Sequence, residues 1–295
     1  MTTFELRTQC PVHQAEAMEN ALFELGALSV TFADAEDQAI LEPGVGQMPL
    51  WNQIKVAGLF SSDTPAEPLT LAFKRLFPDA PVHCETLPDQ AWERTWLAHF
   101  KPLRFGRQTW VVPSGFSPPE PDAVNLMLDP GLAFGTGTHD TTALCLEWID
   151  AHDMRGRRVM DFGCGSGILA IATLLHGADE AWCTDIDPQA IEATCANAEK
   201  NGVAERIRII EADKVTNAPA VDILMANILA EPLIALAPQF ATLVQPGGHL
   251  ILSGILREQA DEVRQAYATD FIDIQTRFTE DWALLSARRK PENPS

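Results

Sequence analysis

The string Asp161-Phe162-Gly163-Cys164-Gly165-Ser166-Gly167 stands between a short apolar run and the helical run Ile168 to Leu175. Glycines at alternate positions let a backbone turn sharply at a strand's carboxyl end and come close to a ligand, while the next helix offers free N–H groups. From Gly165 the string also fits the dinucleotide pattern G-x-G-x-x-A through Ala170, and Asp185 lies 18 residues beyond Gly167. A carboxylate at Asp185, where the second apolar run ends, can take both ribose hydroxyls; this selects a nucleoside and is indifferent to what else the ligand carries. An NAD-dependent oxidoreductase is one reading of these residues. Asp187 precedes Pro188 and reads as a helix N-cap. Asn227 closes the fourth apolar run at the same edge; its carbonyl can accept from an amine and its NH₂ can hold cofactor atoms. Pro246-Gly247-Gly248 reads as a turn.

Residues 129–142 are dense in glycine and threonine and precede a helix over Thr142–Ile149. They suit either a flexible lid with hydroxyl donors or an ordinary capping loop in which Thr141 or Thr142 caps. His139 has no Ser or Cys partner in view and is not assigned as a base.

These residues need a scaffold that brings strand ends together. From Arg158 onward short apolar runs alternate with helical ones, which demands a parallel sheet covered by helices on both faces. The last two runs, Ile272–Phe278 and Trp282–Ala287, are joined by only three residues, as in a hairpin, so one strand should be antiparallel. In residues 1–90 the order strand-helix-strand-strand-helix-strand predicts a small α+β, ferredoxin-like domain. Three segments follow: a domain over 1–90, a linker over 91–118 containing Trp92, Trp96 and Trp110 and leading into prolines, and a second domain over 119–295.

The chain of 295 residues has 21 Lys+Arg against 41 Asp+Glu, a net charge of −20. Residues 1–90 hold 4 Lys+Arg and 13 Asp+Glu, net −9; 91–118 hold 4 and 1, net +3; 119–295 hold 13 and 27, net −14. That balance argues against binding nucleic acid through phosphates. The first residues do not read as a signal peptide and no apolar run is long enough for a membrane span, so a cytoplasmic protein is expected. Six cysteines without a C-x-x-C pair read as reduced thiols, with no metal site.

Taken together, DFGCGSG, Asp185 and the PGG turn resemble class I S-adenosylmethionine-dependent methyltransferases. LDPGLAFGTGTHDTT at 128–142, DFGCGSGILAIA at 161–172, TDIDPQAI at 184–191 and ANIL at 226–229 are similar to the bacterial ribosomal protein L-eleven methyltransferase family, departing at Asp140, where proline is common. The resemblance is carried from about Trp92 to the end by motifs, and before that by length and order. It implies a Rossmann-like, mostly parallel seven-stranded sheet and an N-terminal domain that recognises the substrate protein. It also implies methyl transfer from S-adenosylmethionine to α-amino and lysine ε-amino groups of a basic large-subunit ribosomal protein. Cofactor contacts would fall at Thr142, Gly163, Asp185 and Asn227, with Asn227 orienting the amine and no residue named as a general base.

Overall fold

Along strand β1 (Thr3–Pro11) the side chains of Phe4, Leu6, Thr8 and Cys10 are buried while Arg7 and Gln9 are exposed. This period of two marks a strand with one covered face. A computed structural model describes residues 3–36, 51–61, 64–87, 101–128 and 139–291, in two units, Met1–Trp96 and Leu97–Ser295.

In the first unit β1 is followed by α1 (Ala15–Glu24), β2 (Ser29–Asp34), β3 (Gln53–Ser61), α2 (Ala66–Leu76) and β4 (Val82–Leu87). The strands lie in the order β2-β3-β1-β4 with every pair antiparallel, the split βαβ arrangement expected from the order of elements. Met18 and Leu22 of α1 and Leu69 and Phe73 of α2 close over Leu6, Ile54, Val56 and Phe60.

The second unit begins with β5 (Leu103–Phe105), β6 (Thr109–Val112) and β7 (Val124–Met127), a three-stranded sheet. Next come α3 (Asp140–Ala151), β8 (Arg158–Phe162), α4 (Ile168–Leu175), β9 (Glu180–Thr184), α5 (Pro188–Lys200), β10 (Ile207–Ile209), β11 (Val221–Asn227), α6 (Ala230–Leu243), β12 (Val244–Leu256), α7 (Ala260–Tyr267), β13 (Phe271–Phe278) and β14 (Trp282–Arg289). The larger sheet runs β10-β9-β8-β11-β12-β14-β13. Its first four pairings are parallel, and β14 alone runs against its neighbours β12 and β13, the one antiparallel strand that the short final link requires. Val159, Ile223, Met225 and Ile251 pack on the side of α3 and α4. Met160, Leu224, Ala226, Leu250 and Leu252 pack on the side of α6 and α7. Adjacent residues of one strand thus serve opposite cores, which is why these strands read as continuous apolar runs. No described helix is long and apolar enough to cross a membrane.

Residues 91–118 read as a linker, but from Leu97 the chain belongs to the second unit, and 103–112 are built into it as β5 and β6. Trp92 and Trp96 lie outside the described residues. The attachment is a carboxylate clamp that spacing does not reveal. Asp150 on α3 accepts hydrogen bonds from the backbone N–H groups of Arg107 (2.6 Å) and Gln108 (3.0 Å) and from Thr109 Oγ1 (2.7 Å). Gly106, at φ +64°, is needed there because a Cβ would stand 2.3 Å from Asp150 Oδ2. Burial pushes the Asp150 carboxyl up, and the three donors outweigh it and hold the group below its usual range. Its stabilisation is therefore present above the unfolded value of about 3.9 and is lost as the pH falls through the lowered folded value. Asp150→Ala is expected to cost about 2 kcal/mol at neutral pH, read as a drop of several degrees in Tm that narrows toward pH 3.

Candidate functional site

Parallel strands deliver their carboxyl ends to one edge of the sheet, and between β8 and β11 the strand order reverses, the place where open α/β sheets hold ligands. A cavity of about 560 Å³ opens there, lined by Thr142, Asp161, Gly163, Asp185, Ile186 and Asn227 among others. The structure thus brings Thr142, Gly163, Asp185 and Asn227 together from four separate stretches of chain.

The glycine loop forms the floor. Gly163, Gly165 and Gly167 have φ of +76°, +54° and +77°. The N–H groups of Gly163 and Cys164 donate to Thr184 O at the end of β9 (2.8 and 3.1 Å). Helix α5 braces the loop from outside: Thr194 Oγ1 donates to Gly165 O (3.0 Å) and Asn197 Nδ2 to Ser166 O (2.9 Å). Asp185 is oriented by the loop itself, accepting from Gly165 N–H on Oδ2 (2.9 Å) and from Asp187 N–H on Oδ1 (3.0 Å). Each oxygen keeps a second lone pair for a diol. Next to it Ile186 is 91% exposed, an apolar shelf that makes sense under a planar ligand group. Asp187 caps α5 through Gln189 N–H (2.9 Å), as its place before Pro188 suggested.

Three buried polar atoms on residues lining this cavity have no partner among the described residues: Asp161 Oδ1, Thr184 Oγ1 and Asn227 Oδ1. Such atoms cost free energy unless a ligand answers them. Asp161 is fully buried; its Oδ2 accepts from Ala170 N–H (3.0 Å). Burial raises its carboxyl to about 7 against the pull of that N–H, and the Asp185 charge adds to the rise. Asn227 holds its Nδ2 toward Thr142 Oγ1 at 3.4 Å, with its carbonyl unpartnered among the described residues. A ligand with a ribose diol, a planar base and positive charge fits these groups. S-Adenosylmethionine has all three.

Asn227 also opens onto a second, almost wholly apolar cavity of about 410 Å³, lined by His139, Thr141, Ile228, Leu229, Gly254 and Trp282 as well. Its wall includes Trp282, whose ring stands edge-on to the His139 imidazole (4.8 Å, 68°). Ile228 lies on both cavities and is wedged between two glycines. A Cβ on Gly163 would come 2.5 Å from Ile228 Cγ2, and one on Gly254 (φ +79°) 2.3 Å from Ile228 O. The first neighbour is a side-chain methyl; the second is backbone, met at O, C and N together. Gly254→Ala is therefore expected to displace the end of β11, lowering Tm and reducing activity about 100-fold, whereas Gly163→Ala should cost less stability. Thermal melts and initial rates of the two variants check this.

The helix expected from Thr142 begins two residues earlier, and its cap is His139 rather than Thr141 or Thr142: His139 Nδ1 accepts from Thr141 N–H at 3.3 Å. Residues 129–138, most of the proposed lid, lie outside the described residues. Asp161 lines the first cavity and Trp282 the second, and the sequence assigned a role to neither. Asp161 at least stood first in the glycine string. Among the described residues no group of three or more His, Cys, Asp or Glu side chains is placed to hold a metal.

A family model described as ribosomal protein L11 methyltransferase (PrmA) matches residues 2–290. The chain is 52% identical over 295 residues to the ribosomal protein L11 methyltransferase of Pseudomonas paraeruginosa, covering 99% of this chain and 100% of that one. It is 51% identical over 278 residues to the protein of the same name from Hahella chejuensis, covering 94% of this chain and 95% of that one. Among solved structures, a ribosomal protein L11 methylase from Lactobacillus delbrueckii subsp. bulgaricus aligns with a TM-score of 0.60 at 34% identity, over 65% of this chain and 100% of that one.

Proposed function

The chain belongs to the ribosomal protein L11 methyltransferase family, and from that membership we propose that it transfers methyl groups from S-adenosylmethionine to amino groups of ribosomal protein L11. One observation carries the reading at this site: the Asn227 carbonyl, unpartnered among the described residues, on a residue that lines both the glycine-loop cavity and the apolar one. When bound, the cofactor supplies a methyl group already activated on a sulfonium, so the protein has to align an amine with it and keep that amine neutral.

Asp185 takes the ribose hydroxyls, Ile186 supports the base, and the loop at Gly163 lets the backbone approach the ligand. Thr142 holds the Asn227 amide with its carbonyl outward. The apolar cavity suits the methylene stem of a lysine and strips water from its nitrogen. A lysine is almost wholly protonated at neutral pH, with a usual pKa of about 10.4, and a water-poor wall of Trp282, Ile228 and Leu229 disfavours the ammonium. Asn227 Oδ1 then accepts one remaining N–H and aims the lone pair. No side chain of the site is assigned as base; the proton leaves to solvent.

The 1–90 domain serves in this reading as the part that recognises the substrate protein. The acidic surface, −20 overall, attracts a lysine-rich partner and repels RNA. The working compartment is the cytoplasm, where ribosomal proteins are made. Association should weaken with added salt.

Asp161 gives the site a pH dependence. With a folded value of about 7 against about 3.9 unfolded, the native state keeps a proton that the unfolded chain has lost, so its contribution to stability falls as the pH rises from 4 to 7. With a cation bound beside it, Asp161 would favour the carboxylate and give up that proton. Affinity for S-adenosylmethionine should therefore rise between pH 5.5 and 7, by up to about tenfold per unit, and should be flat in Asp161→Asn. Calorimetric titration across that range checks both. Cofactor identity is tested by thermal shift: S-adenosylmethionine at one hundred times its Kd should stabilise the protein by about 2.7 kcal/mol, and NAD should give no shift. The reverse pattern would restore the oxidoreductase reading.

A further inference from the structure

Trp282 forms part of the wall of the apolar cavity, yet it is the first residue of β14 and follows a three-residue hairpin link, a place where a side chain is easily misplaced. One residue outside both cavities holds that hairpin. Arg257 follows directly after β12, whose last residue, Leu256, pairs with Trp282. Its backbone N–H donates to Asp281 O (2.8 Å), its Nε to Glu280 O (2.9 Å), and its Nη2 to Thr279 O. All three carbonyls of the link are thus taken by one residue. The guanidinium also lies over the Phe278 ring, 4.6 Å from its centre. On the far side of the link Thr279 N–H donates to Trp282 O (2.9 Å), and Trp282 N–H returns a bond to Thr279 Oγ1 (3.3 Å).

Arginine suits this task. Its planar fork meets two carbonyls at fixed angles while stacking on an aromatic face; a lysine ammonium reaches as a single point and does not stack in that way. Arg257 is exposed, and Glu280 and Asp281 beside it are carboxylates of the same link, yet it is their backbone oxygens that Arg257 holds. Binding to backbone fixes the path of the chain, and with it the position of the next ring.

We propose that Arg257 is a positioning residue for methyl transfer: it clasps the β13–β14 link and thereby sets the Trp282 wall against which the substrate's alkylamine stem packs. The proposal rests on the reading of the apolar cavity as the amine site. It predicts an effect on the protein substrate and none on the cofactor, because neither Arg257 nor Trp282 lines the cofactor cavity.

The test is a double-mutant cycle of Arg257→Gln and Trp282→Ala in the full chain, with kcat and KM for ribosomal protein L11, Kd for S-adenosylmethionine and Tm measured for each. Arg257→Gln is expected to lower kcat/KM for the protein about tenfold with the cofactor Kd unchanged, and Arg257→Lys to recover only part of it. In the Trp282→Ala background the same Arg257→Gln change should cost less than twofold, since the wall it positions is gone. Equal losses from Arg257→Gln in the two backgrounds, or full activity of Arg257→Gln, would overturn the proposal. If Trp282→Ala itself leaves kcat/KM unchanged, the amine-site reading fails and this proposal falls with it. If Trp282→Ala is impaired and Arg257→Gln is not, only the role of Arg257 is lost.

Discussion

Alanine at Asp185 is expected to raise the Kd for S-adenosylmethionine by about 100-fold or more, the largest binding effect available from one side chain of this site. Two losses combine. A charged acceptor for a ribose diol contributes about 1.5–3 kcal/mol for each hydrogen bond, and a factor of 100 corresponds to about 2.7 kcal/mol. Asp185 also fastens the glycine loop through Gly165 N–H and the following turn through Asp187 N–H, so the alanine variant leaves two donors unanswered at the floor of the cavity. Asp185→Asn separates the terms: its carbonyl oxygen can keep one of the two backbone bonds, but it brings one acceptor where the carboxylate has two. It should fall between wild type and alanine in calorimetric titration. Because removing the Asp185 charge also relieves Asp161 of a negative neighbour, the pH at which cofactor affinity levels off should move down in both variants.

The largest effect on turnover should come from Asn227. Asn227→Ala removes a carbonyl oxygen that is buried and, among the described residues, without a partner. Loss of one oriented polar group at a reacting centre typically costs 10²–10³ in kcat, and that range is expected here, with a smaller rise in the cofactor Kd because Asn227 also lines the cofactor cavity. Asn227→Asp is the sharper variant. A carboxylate beside the amine favours the ammonium and raises its pKa. Its activity at neutral pH should be low and should recover as the pH rises, so the pH–rate profile moves to higher pH. A profile unmoved by the added charge would mean that Asn227 does not face the amine.

The cofactor half of the site was legible because its signals are local. Alternate glycines, a strand before and a helix after, and an acid at the end of the next strand are fixed by a single βαβ unit, and the parallel sheet brings Asn227 to the same edge whatever the details. Asp161 sits within that string, but its importance comes from burial under the N-terminal turn of α4, which spacing does not express. The apolar cavity was not legible. Trp282 reaches the cavity through the β12–β14 register, and Gly254 reads as an ordinary strand glycine until Ile228 O is found against it. Asp150 likewise binds backbone more than 40 residues away in sequence, which turned part of an expected linker into sheet. His139 caps α3 because a ring nitrogen takes the place usually given to a hydroxyl.

Mass spectrometry of purified ribosomal protein L11 after incubation with the enzyme and S-adenosylmethionine, followed by fragmentation to locate the added groups, tests the methyl transfer most directly. The prediction is mass increments of whole methyl groups confined to the α-amino group and lysine side chains, lost with Asn227→Ala while that variant still binds the cofactor. Unmodified L11 in the presence of a wild-type enzyme saturated with S-adenosylmethionine, or methyl groups found on carboxylates or hydroxyls, would contradict it.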